Sequence, residues 1–142
     1  MLSSVLGPRV SDYAYVDFAS GAGGPIQYIE KELNTQLRAE GTDAVQFVLS
    51  DISPHVGAWS ALAKKSENLS YIAQSVDATN ASSPETLLKD VPAARGKKVM
   101  RLFNLAFHHF DDELAAKVLE NTVDTSDGFW YDALHILLVA TS

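Results

Sequence analysis

The chain contains no cysteine. That excludes disulfides, thiolate-held metals, iron–sulfur clusters and a cysteine nucleophile, and it suits a reducing compartment. Positive charge is scarce as well: 11 Lys and Arg stand against 18 Asp and Glu, for a formal net charge of −7. An acidic chain repels phosphate backbones and anionic lipid, so neither a nucleic acid nor a membrane surface is an expected partner. No apolar run reaches the ~18 residues of a membrane-spanning helix. Met1 to Val10 are too short and too weakly apolar for a secretory signal and lack its basic start. Asn68-Leu-Ser70 and Asn80-Ala-Ser82 therefore match a glycosylation acceptor by letter only. No Gly-Lys-Ser or Gly-Lys-Thr occurs, which removes a P-loop. The expectation is a soluble cytoplasmic domain.

What is present is an ordinary globular composition, 46% apolar and 20% charged, in 142 residues. That length suits one domain, 1–142, with 1–12 as a short lead and 129–142 as an atypical end. Apolar and amphipathic runs alternate, the pattern of a parallel sheet wrapped by helices. Strands are predicted at Tyr13 to Ala19, Val45 to Leu49, Leu69 to Val76 and Lys98 to Leu105, and a fifth at Ala133 to Ala140. Helices are predicted from Pro25, with Ile26, Ile29, Leu33 and Leu37 on one face and Gly41 as the stop. Others contain Ala58, Trp59, Leu62 and Ala63, begin near Ser83-Pro84-Glu85, and span Asp111 to Asn121. The fold class is α/β: a doubly wound, mostly parallel sheet of about five strands with helices on both faces.

Such sheets bind ligands outside the carboxyl ends of their strands, where strand order reverses. The residues there are Asp17 to Gly24, Asp51, Asp77 and Asn104 to His109. Asp17-Phe-Ala-Ser-Gly-Ala-Gly-Gly-Pro25 is the strongest motif. Glycine permits positive φ and close approach of a ligand, and a helix start follows. A tight turn uses glycine for the same reason. A dinucleotide loop would want Gly or Ala where Ile26 stands, and an acid ~20 residues on, nearer than Asp51.

An acid ending the first strand, followed by glycines at alternate positions, resembles motif I of the class I S-adenosylmethionine-dependent methyltransferases. Leu49-Ser-Asp-Ile-Ser-Pro54 is similar to the family's second motif and Gln74-Ser-Val-Asp-Ala78 to its third. Asn104-Leu-Ala-Phe-His-His-Phe-Asp-Asp112 looks like the segment after strand four. The likeness runs from about Val16 to Asn121. It implies a Rossmann-like core that binds S-adenosylmethionine through Asp17, Ala19, Ser20, Gly21, Gly23, Asp51, Ile52, Asp77, Ala78 and Asn104. Asp51 would take both ribose hydroxyls, as a carboxylate can, or else cap the helix after Ser53. Asp77 would meet the adenine amino group, or serve its own turn. Asp17 would hold the ammonium, directly or through water, or else hold the loop's own amides. His108 and His109 would line the substrate side, one as a base near neutral pH, or simply open a polar loop. Adjacent strand residues face opposite ways, so the pair is not read as a metal site. Trp59 and Trp130 are read as packing residues.

The sequence departs from the family at three places. Ala19 replaces the first loop glycine, little precedes the first strand, and the family's terminal antiparallel hairpin is expected to be missing. The first expectation is methyl transfer to a small-molecule acceptor. The alternative is a catalytically incomplete, cofactor-binding or partner-dependent module of the same fold, with a second copy or a partner subunit covering an open sheet edge. A nicotinamide-dependent oxidoreductase ranks third, since no Tyr-x-x-x-Lys pair occurs.

Overall fold

The computed structural model describes residues 11–18, 20–23, 26–103, 128–131 and 139–140. The order is β1 (Tyr13–Asp17), α1 (Ile26–Ala39), β2 (Phe47–Leu49), α2 (Val56–Lys65), β3 (Leu69–Tyr71), α3 (Pro84–Leu87), a 3-10 turn (Pro92–Ala94), β4 (Lys98–Phe103), β5 (Gly128–Tyr131) and β6 (Val139–Ala140). The six strands form one sheet in the order β3-β2-β1-β4-β5-β6. All neighbours pair in parallel except β5 and β6, which are antiparallel. The architecture is thus α/β, and the order reverses beside β1, between β2 and β4.

The sequence explains these elements. Every residue of β1 is buried, as expected of a strand covered on both faces, whose apolar run is nearly continuous. One face carries Tyr13, Tyr15, Phe47, Leu49, Met100 and Leu102, packed against Ile26, Leu33 and Leu37 of α1 and Trp59 of α2. Tyr15 and its register partner Phe47 stack with ring centroids 5.2 Å apart. The other face, with Ala14, Val16, Val48 and Val99, is covered by Ile72, Val76, Leu87, Leu88, Val91 and Ala94 from the crossover between β3 and β4. Helix α1 ends where predicted, with Gly41 at φ +77° just beyond it. Glycine takes that conformation without a Cβ penalty.

Polar side chains also lie inside this core. Asn34, fully buried on α1, donates to Glu30 Oε2 (2.9 Å) and the Val45 carbonyl (3.1 Å) and accepts from the Val45 amide (2.7 Å). It ties the helix to the chain entering β2. Arg101, buried in β4, lies over the Phe18 ring at 4.7 Å, and desolvation pulls its pKa down to about 10.

Strand boundaries differ from the sequence reading: β1 ends at Asp17, short of Ala19, and β2 begins at Phe47 rather than Val45. β3 stops at Tyr71 rather than Val76: the Ile72 amide still reaches the Leu49 carbonyl (3.0 Å), but beyond it the chain turns through exposed Ala73, Gln74 and Ser75. The fifth strand is Gly128–Tyr131, aligned with Met100–Phe103, not Ala133 to Ala140. Of that later segment, Val139–Ala140 forms a sixth strand antiparallel to β5, so the sheet has six strands and an antiparallel pair lies at its edge, where the sequence reading expects no terminal antiparallel pairing. Aromatic residues favour strands as strongly as the aliphatic run that drew the prediction. The predicted helix Asp111 to Asn121 lies outside the described residues.

Candidate functional site

The carboxyl ends of β1 and β2 are stitched together by two buried serines. The Asp17 carbonyl accepts from Ser20 Oγ (2.8 Å), Ser50 Oγ (2.9 Å) and the Ser50 amide (3.0 Å). The Ser20 amide donates in turn to the Ser50 carbonyl at 2.9 Å. Ser20 therefore turns its hydroxyl into the loop's own framework, and Asp17, only 3% exposed, sits within it. Ser50, which the sequence reading passed over, does as much to shape the loop as Ser20.

From this base the chain makes a turn closed by the Gly23 amide on the Ser20 carbonyl (3.0 Å). Gly21 has φ +58° and Gly23 φ +128°. The two glycines are required for different reasons. A Cβ on Gly21 would meet nothing within 4 Å, so its constraint is conformational and the space beside it is open. A Cβ on Gly23 would come within 2.6 Å of Leu62 Cδ1, because the loop is packed against α2.

Asp51 follows β2 and reaches back across the loop. Its Oδ2 accepts from the Gly21 amide at 2.8 Å, and its Oδ1 accepts from the Ser53 amide at 2.9 Å. Asp51 is half-buried and does not cap α2 as the alternative reading expects: the helix begins at Val56 with His55 at its N-cap and no side-chain cap bond, so the Ser53 contact is a local turn ahead of it. Ile52 beside Asp51 is 59% exposed, a large apolar side chain held out at the rim. On the other side of Gly21, the indole N–H of Trp59 donates to the Gly21 carbonyl at 2.8 Å. Trp59 is fully buried, as the packing role predicted for it requires, and its polar edge does additional service. The signal was available: a buried indole N–H needs an acceptor, and α2 starts five residues after Asp51.

The third motif approaches through the backbone. The Val76 amide donates to the Asp51 carbonyl (2.9 Å), and Ser75 Oγ to the Ile52 carbonyl (2.6 Å), which brings Asp77 beside the end of β2. Asp77 is exposed, and its Oδ1 accepts from the amide (2.9 Å) and hydroxyl (2.6 Å) of Thr79, a local turn. Ala78 packs on the second core cluster. Ala19, Asn104, His108 and His109 lie outside the described residues.

Six of the predicted positions therefore converge: Asp17, Ser20, Gly21, Gly23, Asp51 and Ile52 form one rim at the ends of β1 and β2, with Asp77 and Ala78 adjoining it. Among the described residues no group of three or more His, Asp or Glu is placed to hold a metal ion, and no helix is long and apolar enough to cross a membrane. Comparisons with protein-family models, curated proteins and solved structures found no match.

Proposed function

We propose that the chain is a class I S-adenosylmethionine-dependent methyltransferase that acts on a small-molecule acceptor, with the cofactor at the carboxyl ends of β1 and β2. The observation that carries this reading is the Asp51 carboxylate held against the glycine loop by the Gly21 amide at 2.8 Å. A carboxylate has about four lone-pair sites. Backbone amides of Gly21 and Ser53 take one on each oxygen of Asp51, so one on each remains for the two hydroxyls of a ribose. The same two bonds fix the carboxylate's orientation before a ligand arrives, which lowers the ordering cost of binding.

The neighbouring residues suit the rest of such a cofactor. Exposed Ile52 offers an apolar face to an adenine ring, and Asp77 would accept from its amino group. The open side of Gly21 would give room for the sulfonium and the methionyl chain that the ribose carries. Bound there, S-adenosylmethionine would supply an electrophilic methyl carbon: the acceptor's lone pair forms a bond to it, the carbon–sulfur bond breaks with its electrons left on sulfur, and the acceptor's proton passes to a base or water. The chain's contribution is placement of the two partners in line. His108 or His109 would be the base on the substrate side.

The test is calorimetric titration with S-adenosylhomocysteine, with NAD as control, on the wild type and on Asp51→Ala. The expected result is binding of S-adenosylhomocysteine alone, weakened about 100-fold or more by loss of two charge-assisted hydrogen bonds. Binding of NAD instead, or of neither, overturns the proposal. Binding without methyl transfer across a panel of oxygen, nitrogen and carbon acceptors would move the assignment to a cofactor-binding module.

A further inference from the structure

Gly21 is held at both of its peptide groups by side chains from one segment. Its N–H donates to Asp51 and its C=O accepts from Trp59, each at 2.8 Å. A residue's backbone has only two soft dihedral angles, and anchoring the peptide units on either side constrains both. Glycine is the residue with most conformational freedom to lose, so an unbraced apex would sample many shapes.

We propose that Trp59 is a positioning residue for cofactor binding: its indole N–H, opposite Asp51, locks the apex of the glycine loop in the shape that leaves the ribose-binding lone pairs of Asp51 exposed. The inference rests on the methyltransferase reading and extends it to a residue that would itself touch no cofactor. Three further observations support it. Trp59 is the only fully buried residue of α2, so its ring cannot swing away. Its ring is neighboured by those of His55 and Tyr71, each with centroids 6.2 Å away. One turn further along the same helix, Leu62 fills the space against Gly23. Helix α2 thus backs the loop at two points, one polar and one apolar. A side chain needed only for packing would satisfy the second of these and not the first.

The discriminating variant replaces Trp59 with 3-benzothienylalanine, which keeps the bicyclic shape and substitutes sulfur for the N–H. Trp59→Phe is the genetically simpler companion. Calorimetry should show S-adenosylhomocysteine binding weakened about fivefold to tenfold, the worth of one neutral hydrogen bond, with near-native circular dichroism. In the wild type, the Trp59 indole N–H should exchange with solvent deuterium slowly, and more slowly still once S-adenosylhomocysteine is bound. Unchanged affinity in the benzothienyl variant overturns the positioning role and leaves the cofactor assignment standing. An indole N–H that exchanges at the free-solvent rate does the same without any variant. Failure of the wild type to bind S-adenosylhomocysteine overturns both.

Discussion

Replacing Gly23 with alanine tests whether the loop is shaped by packing on α2. Two separate penalties are expected. At φ +128° an L-residue lies outside its allowed regions, and holding one there costs about 1–3 kcal/mol. The new methyl would also approach Leu62 Cδ1 to 2.6 Å. Overpacking of that kind costs about 1–3 kcal/mol, and the lower end applies because the atom struck is the tip of a flexible, partly buried side chain. The sum is about 2–4 kcal/mol, which lowers the melting temperature of a domain this size by roughly 7–13 °C.

A double-mutant cycle separates the two terms. Leu62→Ala alone should cost about 1–2 kcal/mol of burial. In the double variant the clash is gone and only the backbone strain persists, so the combined loss should fall short of the sum of the singles by about 1 kcal/mol. Gly57→Ala is the control: Gly57 sits in α2 with ordinary φ and open space around it, so alanine there should stabilise by about 0.5 kcal/mol through helix propensity. Urea unfolding of the four variants supplies the numbers. A Gly23→Ala protein as stable as the wild type, or a strictly additive cycle, would refute the packing argument.

Other consequences are accessible by the same methods. Asn34→Leu removes both partners of the Val45 peptide groups and the amide donor to Glu30, and should cost about 3–5 kcal/mol because three buried polar groups lose their bonds. A loss below 1 kcal/mol in urea would show that water replaces the side chain. Burial, reinforced by Tyr13 and Asp12, pushes the Tyr15 phenol far above its ordinary value. In the unfolded chain it ionises near pH 10. The native state then binds the extra proton, so this contribution to stability is intact below pH 10 and declines above it by about 1.4 kcal/mol per pH unit. Tyr15→Phe should flatten the alkaline limb of unfolding free energy against pH by about that slope; an unaltered limb would assign it to other groups.

Much of the fold was legible because the signals were redundant. Tyr13 to Asp17 is an apolar run with no other plausible use, and Ile26, Leu33 and Leu37 recur at helical spacing above a glycine stop. The convergence of Asp51 on the loop was legible for a topological reason: parallel neighbours deliver their carboxyl ends to one rim, so an acid after β2 must come near a loop after β1. Less legible were features set by contacts distant in sequence. Nothing local in Leu69 to Val76 says that pairing with β2 ends at Tyr71, since Val76 remains beside that strand's end through its bond to the Asp51 carbonyl. Phe129-Trp130-Tyr131 and the aliphatic run after it compete on propensity alone, and the alignment with Met100–Phe103 decides between them. Trp59 was correctly placed in the core, but its acceptor is 38 residues away, beyond any window of periodicity.

The fold alone accounts for the glycines of the loop, and it does not account for the full acceptor capacity of Asp51. Gly23 is required by its φ and by α2, and Gly21 by its φ, so each would be needed in a loop that binds nothing. Ser20 is likewise accounted for by the stitching of β1 to β2. What a closed structural turn does not require is an acceptor stronger than its donors need. The Gly21 and Ser53 amides each need one oxygen lone pair, which an asparagine could supply only to one of them with its single carbonyl oxygen unless both amides shared it. A carboxylate satisfies both and keeps acceptor capacity to spare, beside Ile52, an apolar side chain that the core has not absorbed. Surplus acceptors beside an exposed isoleucine suit a ligand that joins a diol to an aromatic ring. A nucleoside is such a ligand, and in the proposed reading it is Asp51 and Ile52 together, rather than the glycines, that would recognise it.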